Sequence, residues 1–306
     1  MLGLLLALLD TPSPKHIVLL AGDEEYRSEE ALPQLAKILT TRHGFKCTVL
    51  YSVNAKGEID PNTQDNQPGM SSLDSADLCI MMLRFRRWPD EQMKHFVDYY
   101  RSGKPIIALR TSTHAFDYPE DSSSAYRRFG WRSKDWSGGF GEQVLGENWI
   151  SHWGNHGSQG TRAIIEPDVK HPVLKGVEGI YVTTDVYEAH PPADAQILMR
   201  GEVVEGMKPT DPPAQGKKKT AKGTEQDFNS PMMPIVWTRE VLNDNGKTNR
   251  IFTCTMGAAT DFLSEPLRRL LVNASYWAMG LPVPAKANVD LVGDYKPSPF
   301  GFRKPG

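Results

Sequence analysis

Four short runs of evenly apolar residues, separated by stretches of helical periodicity, mark the first 120 positions. His16-Ile17-Val18-Leu19-Leu20-Ala21 is too short and too uniformly apolar for a surface helix, and reads as a strand covered on both faces. After a loop from Gly22 to Arg27, Leu32, Leu35, Ala36 and Leu39 stand at i, i+3, i+4 and i+7, with Ser28 as N-cap and Gly44 as stop. Pro33 is awkward inside that helix and suits N1 of a later start. A second strand is predicted over 46–53, followed by a polar loop through Ser72, and a third over 78–83. Pro89 then sits at N1 of a helix whose stripe is Met93, Phe96, Val97 and Tyr100, ending at Gly103. The fourth strand covers 105–109. Strands alternating with helices of this length predict βαβ units, a mostly parallel sheet and a three-layer α/β fold.

The texture changes beyond residue 110. Residues 111–160 are rich in Ser, Gly, Trp and His with little periodicity, and read as long loop insertions. Strand-like pieces resume at 162–166, 182–188, 195–200, 234–238 and 250–256. The Lys/Gly/Pro-rich stretch 205–231 reads as a solvated, mobile insertion within a hairpin. A last helix is predicted after Ser264 as cap, with Glu265 and Pro266 in its first turn and Leu267, Leu270, Leu271, Ala274 and Ala278 facing the core. One domain therefore spans 15–281, and the tail 282–306 hugs the surface or frays. Leu2 to Leu9 is an apolar run like a signal-peptide h-region, but without a basic n-region or A-x-A site. Residues 1–14 are read as a partial signal peptide or an N-terminal extension, so exported (periplasmic) and cytoplasmic locations both stay open.

Composition narrows the classes. Of the 306 residues 39% are apolar and 24% charged, which fits a folded chain with a sizeable core. A net charge of −2 argues against a nucleic-acid binder, and the lysines at 217–219 have no interleaved aromatics. No apolar run of about 18 residues is present, so no membrane span is expected. Cys47, Cys79 and Cys254 are far apart in apolar surroundings and read as free thiols.

In an open parallel sheet, ligands bind beyond the carboxyl ends of the strands. The loops there carry Asp23, Glu24, Glu25, Tyr26 and Arg27 after strand one, Arg84 after strand three, and Arg110, His114 and Phe116 after strand four. Converging acids, arginines and a histidine suit acid/base work: His114 titrates near neutrality, Glu24 or Glu25 is a partner carboxylate, and Arg110 steadies an oxyanion. The plainer alternative is that Glu24, Glu29 and Glu30 merely favour a helix N-terminus. A second cluster, Trp149 to Gly157, holds His152, Trp153, Asn155 and His156. Its histidines suit hydrogen bonding in a pocket; zinc ligation is the weaker reading, because no HExxH helix or third ligand is evident. The tryptophans suit stacking on the C–H face of a sugar ring, or else cap the core under a loop. The chain lacks a GxSxG elbow, a P-loop, a GxGxxG turn and a cysteine after strand four, and no cofactor is expected.

Several segments together resemble the ThuA-like (trehalose utilisation) family, whose fold is similar to that of class I glutamine amidotransferases and flavodoxin-like proteins. They are Ile17-Val18-Leu19-Leu20-Ala21-Gly22, Gly103-Lys104-Pro105-Ile106-Ile107-Ala108-Leu109 with His114, His171-Pro172-Val173-Leu174-Lys175-Gly176-Val177, Pro234-Ile235-Val236-Trp237-Thr238-Arg239, and Leu267-Arg268-Arg269-Leu270-Leu271-Val272-Asn273 with Trp277-Ala278. Order and spacing over about 15–281 carry the resemblance. It implies sugar catabolism, with a keto-sugar or disaccharide as substrate and a small carbohydrate as partner; the oligomeric state is not legible. Gly-Asp-Glu-Glu-Tyr-Arg after strand one and Arg110-Thr111-Ser112 before His114 depart from the commoner pattern, so His114 alone is carried over. The expectations are an acid/base enzyme of the isomerase, lyase or hydrolase kind, a non-catalytic carbohydrate-binding module, or, more weakly, a metal-dependent hydrolase through His152 and His156.

Overall fold

The computed structural model describes residues 13–302. The h-region-like segment Leu2 to Leu9 lies outside them. β1 (His16–Gly22), β2 (Lys46–Tyr51), β3 (Leu78–Leu83) and β4 (Ile106–Leu109) form the parallel half of one sheet, with α1 (Ser28–His43) and α2 (Asp90–Arg101) as crossovers. β1 and β3 are buried along their whole length because each alternates its apolar groups between two cores. Ile17, Leu19, Leu78, Ile80 and Met82 join one core; Val18, Leu20, Cys79, Met81 and Leu83 join the other.

Beyond β4 the chain builds the antiparallel half from β5 (Thr161–Ile165), β6 (Tyr181–Val182), β7 (Gln196–Val203) and β10 (Met233–Leu242). β11 (Thr248–Cys254) joins the halves, parallel to β4 and antiparallel to β10. The nine-stranded order is β2-β1-β3-β4-β11-β10-β7-β5-β6, and α3 (Glu265–Ala278) closes the first core. The α/β fold, with one large central sheet whose amino-terminal half is parallel, is thus the expected one.

Several local expectations need correction. Ser28 does not cap α1: the cap position is Arg27, in a left-handed conformation, and the Ser28 hydroxyl accepts the Asp23 N–H at 2.9 Å. Pro33 lies inside α1, removing one backbone donor without ending the helix. Ser264 is at the cap position of α3 but makes no side-chain capping bond. The stretch expected as strand over 182–188 belongs to β6 only at Val182, and Tyr187 makes one further isolated antiparallel bridge, to His152. The insertion at 205–231 is largely exposed, as expected, and carries secondary structure. It forms a hairpin of β8 (Lys217–Lys219) and β9 (Glu225–Asp227), and Lys218 Nζ donates to the carbonyls of His152 and Trp153. No helix among the described residues is long and apolar enough to cross a membrane.

The first turn of α1 yields a pH-dependent prediction. Glu29 Oε2 is buried and finds no hydrogen-bond partner among the described residues, and burial pushes its carboxyl up to about 7. The helix dipole favours the anion there, but desolvation wins. A folded-state value above the unfolded one gives a contribution complete below about pH 4.5 and lost as pH rises through about 7. Glu29→Gln should therefore stabilise the protein by about 1–3 kcal/mol at pH 8 and leave it unchanged near pH 4.5, read from urea unfolding at both pH values.

Candidate functional site

Three loops leave the carboxyl ends of β1, β3 and β4, and each contains a residue in the left-handed region. Arg27, Phe85 and Arg110 have φ of 60°, 53° and 44°, a region that side-chain-bearing residues avoid. The turn carrying Arg110–His114 is held from outside by Gly141, where a Cβ would lie 2.0 Å from the Thr113 carbonyl oxygen.

Asp23 is the tie between the first and third loops. Its Oδ1 accepts the N–H groups of Glu25 and Tyr26 at 2.7 and 3.0 Å, and its Oδ2 accepts the Thr111 hydroxyl. Glu24 lies between two guanidiniums, bonded to Arg84 and, at 2.6 Å, to the fully buried Arg86. Arg27 donates to the Glu24 carbonyl at 3.0 Å and to the carbonyl of Gly301 in the tail. These residues shape the site from behind.

Arg110 is also spent in the framework. Its guanidinium sits 4.4 Å from the Tyr26 ring centroid and 3.8 Å from that of Tyr187. Nη1 donates to the carbonyls of Asp185 and Thr255 at 2.7 and 2.9 Å; Nη2 donates to Tyr26 Oη and Asp185 Oδ1 at 3.0 and 2.9 Å. Burial works against its charge, but electrostatic interaction with Tyr187, Tyr26 and the Asp185 carboxylate, with the bond to the Tyr26 hydroxyl, outweighs it. With its side chain fully covered, Arg110 cannot reach a substrate oxyanion as the sequence suggested.

Asp185 is the residue that sequence reasoning missed. It lies in the stretch expected as strand, between Thr184 and Val186, where nothing local marks it out. Both histidines of the second cluster bond to it: His152 Nδ1 lies 2.8 Å from Oδ2 and His156 Nδ1 3.0 Å from Oδ1. Burial alone would raise its carboxyl, but Arg110 and the two imidazoles hold it well below the usual carboxylate range. His156 also faces Glu25, with Nε2 3.4 Å from Oε1, and its bond to Asp185 outweighs burial and raises its pKa. Burial and the neighbouring Asp23 charge raise that of Glu25.

A cleft of about 130 Å³ opens between these groups, lined by Glu25, Arg84, Phe85, His114, Trp149, His152, Tyr187 and Phe302. Residues from six separate stretches of the chain meet there. His114 is 3% exposed, with ring centroids 4.9 Å from Phe85 and 5.6 Å from Trp149, and Nδ1 3.3 Å from Thr113 Oγ1. Burial, then the charges of Arg84 and Arg110, hold its pKa well below the usual histidine range, so the imidazole is neutral. Arg84 keeps its guanidinium partly open, 3.5 Å from Glu25 Oε2.

Other expected site residues stand elsewhere. Phe116 is packed on Trp88, Phe96 and Phe140 in the second core. Trp153 is fully buried, its indole N–H bonded to the Phe228 carbonyl at 2.9 Å, so it caps the core. Asn155 is an exposed loop residue outside the cleft, and Tyr26 supports the site through its hydroxyl. The tail, in contrast, contributes directly. Phe300 packs on Tyr26 and His156 with centroids 5.5 Å from each, the Gly301 N–H donates to the Glu25 carbonyl, and Phe302 lies over Arg84.

Fold and site define an α/β protein with a polar cleft at the carboxyl edge of its sheet. The family model for ThuA, described as trehalose utilisation, matches residues 18–278, and the chain belongs to that family. Its fold is similar to that of a ThuA-like protein from Parabacteroides merdae, 18% identical over 95% of this chain and 98% of that one, with a TM-score of 0.50. A ThuA-like protein from Bacteroides uniformis is 16% identical over 90% and 95% of the two chains, with a TM-score of 0.46. No curated protein matches the sequence.

Removing Asp185 would leave the Arg110 guanidinium buried without its counter-charge. Asp185→Ala should cost about 3–5 kcal/mol in urea unfolding, and Asp185→Asn, which keeps an acceptor, distinctly less.

Proposed function

We propose that the protein acts on a sugar or keto-sugar by acid/base chemistry in the cleft at the carboxyl ends of β1, β3 and β4. The observation that supports this reading best is the meeting of His114, Glu25 and Arg84 with the faces of Phe85, Trp149 and Phe302 in one small cleft. The family's tie to trehalose utilisation points to the substrate class.

The chemistry follows from what each group has free. His114 is neutral, so its imidazole can accept a proton from a carbon beside a carbonyl or from a hydroxyl. Arg84, partly open to the cleft, takes over the oxyanion role that the sequence assigned to Arg110. Glu25 is the partner carboxylate; Glu24, locked between Arg84 and Arg86, is not. The aromatic faces suit the C–H face of a pyranose, which fixes the ring while its hydroxyls turn to the polar groups.

His114→Ala should lower turnover of trehalose or its keto derivatives by about 10²-fold or more, with circular dichroism unchanged. Unaltered turnover in that variant would remove the imidazole from the mechanism. Calorimetric binding of these sugars by the wild-type protein, without turnover, would instead favour a carbohydrate-binding module.

A further inference from the structure

We propose that His152, His156 and Asp185 form a binding site for one divalent cation of the zinc class, beside the cleft. The site adjoins the proposed reaction centre but does not rest on that reading, since metal binding is measured without substrate.

The three donor groups are gathered as a metal would need them. One ligand atom from each of the three lies within 4.8 Å of the others. The two contacts to Asp185, at 2.8 and 3.0 Å, approach the roughly 3.3 Å that separates donors around a tetrahedral ion with bonds of about 2.0–2.1 Å. Two imidazole nitrogens and one carboxylate are the donor set of borderline divalent metals, and three protein ligands leave a position for water or substrate oxygen.

The surroundings are built like a metal site's outer shell. The remaining nitrogen of His156 faces Glu25 Oε1 at 3.4 Å, an arrangement that fixes a ligating imidazole with Nδ1 forward. Asp185 is held from behind by Arg110, through its Oδ1 and its own carbonyl. The carbonyl of His152 is gripped by Lys218 of the β8–β9 hairpin, which fixes the backbone of the histidine loop. Both imidazoles remain about one-third exposed, so an ion has a path from solvent.

The full chain, stripped with a chelator and dialysed, is titrated with zinc chloride by calorimetry, and the bound metal is counted by elemental analysis. One equivalent is expected, with affinity lowered about 100-fold or more in both His152→Ala and His156→Ala and about 10-fold in Glu25→Gln. The two histidines are surface-accessible, and circular dichroism of the metal-free variants verifies their fold. No stoichiometric zinc in the wild type, or equal affinity in all four proteins, overturns the proposal. Zinc binding without sugar turnover leaves it standing while counting against the reaction proposed above.

Discussion

The buried ion pair of Arg110 and Asp185 is the constraint on which the site depends. A guanidinium with no solvent access must be compensated, and here two tyrosine faces, two backbone carbonyls, the Tyr26 hydroxyl and one carboxylate serve its two Nη groups, while Nε has no hydrogen-bond partner among the described residues. The cost of burying these charges is offset only if every partner is in place. The pair therefore fixes the turn after β4 against residues 185–187, and with them the positions of His114, Tyr187, His152 and His156. It also joins the two halves of the sheet, since Arg110 follows a parallel strand and Asp185 belongs to a segment that leads from β6 toward β7.

Much of the architecture was legible because its signals are local. Uniformly apolar β1 and β3, the stripes of α1, α2 and α3, and the glycine after α1 reflect periodicities set by backbone geometry alone. The rule that ligands bind beyond parallel strand ends points to the loops carrying Glu25, Arg84 and His114, and these three line one cleft. His152 and His156 were legible as residue types but not as partners, because Asp185 is about 30 positions away in sequence.

What failed to show in the sequence is whatever depends on tertiary contact. Arg110 and Arg84 look equivalent in composition, yet one is enclosed by two tyrosines while the other opens to the cleft. Trp153 and Trp149 are four residues apart in the same loop; the first is pulled into the core by a bond to Phe228 and the second remains beside His114. The charge of the Lys-rich insertion makes its exposure legible, but the pairing of β8 with β9 and the contact of Lys218 with loop carbonyls are not. Phe116 follows the same logic, since nearby aromatic rings offer it more than the strand edge does.

The docking of the tail has a thermodynamic corollary. Phe302 forms one wall of the cleft, yet it is tethered mainly through the Gly301 backbone and the ring of Phe300. A ligand that touches Phe302 stabilises the docked tail, and by reciprocity the docked tail strengthens that ligand's grip. Occupancy of the cleft and docking of residues 300–302 would then be two readings of a single equilibrium.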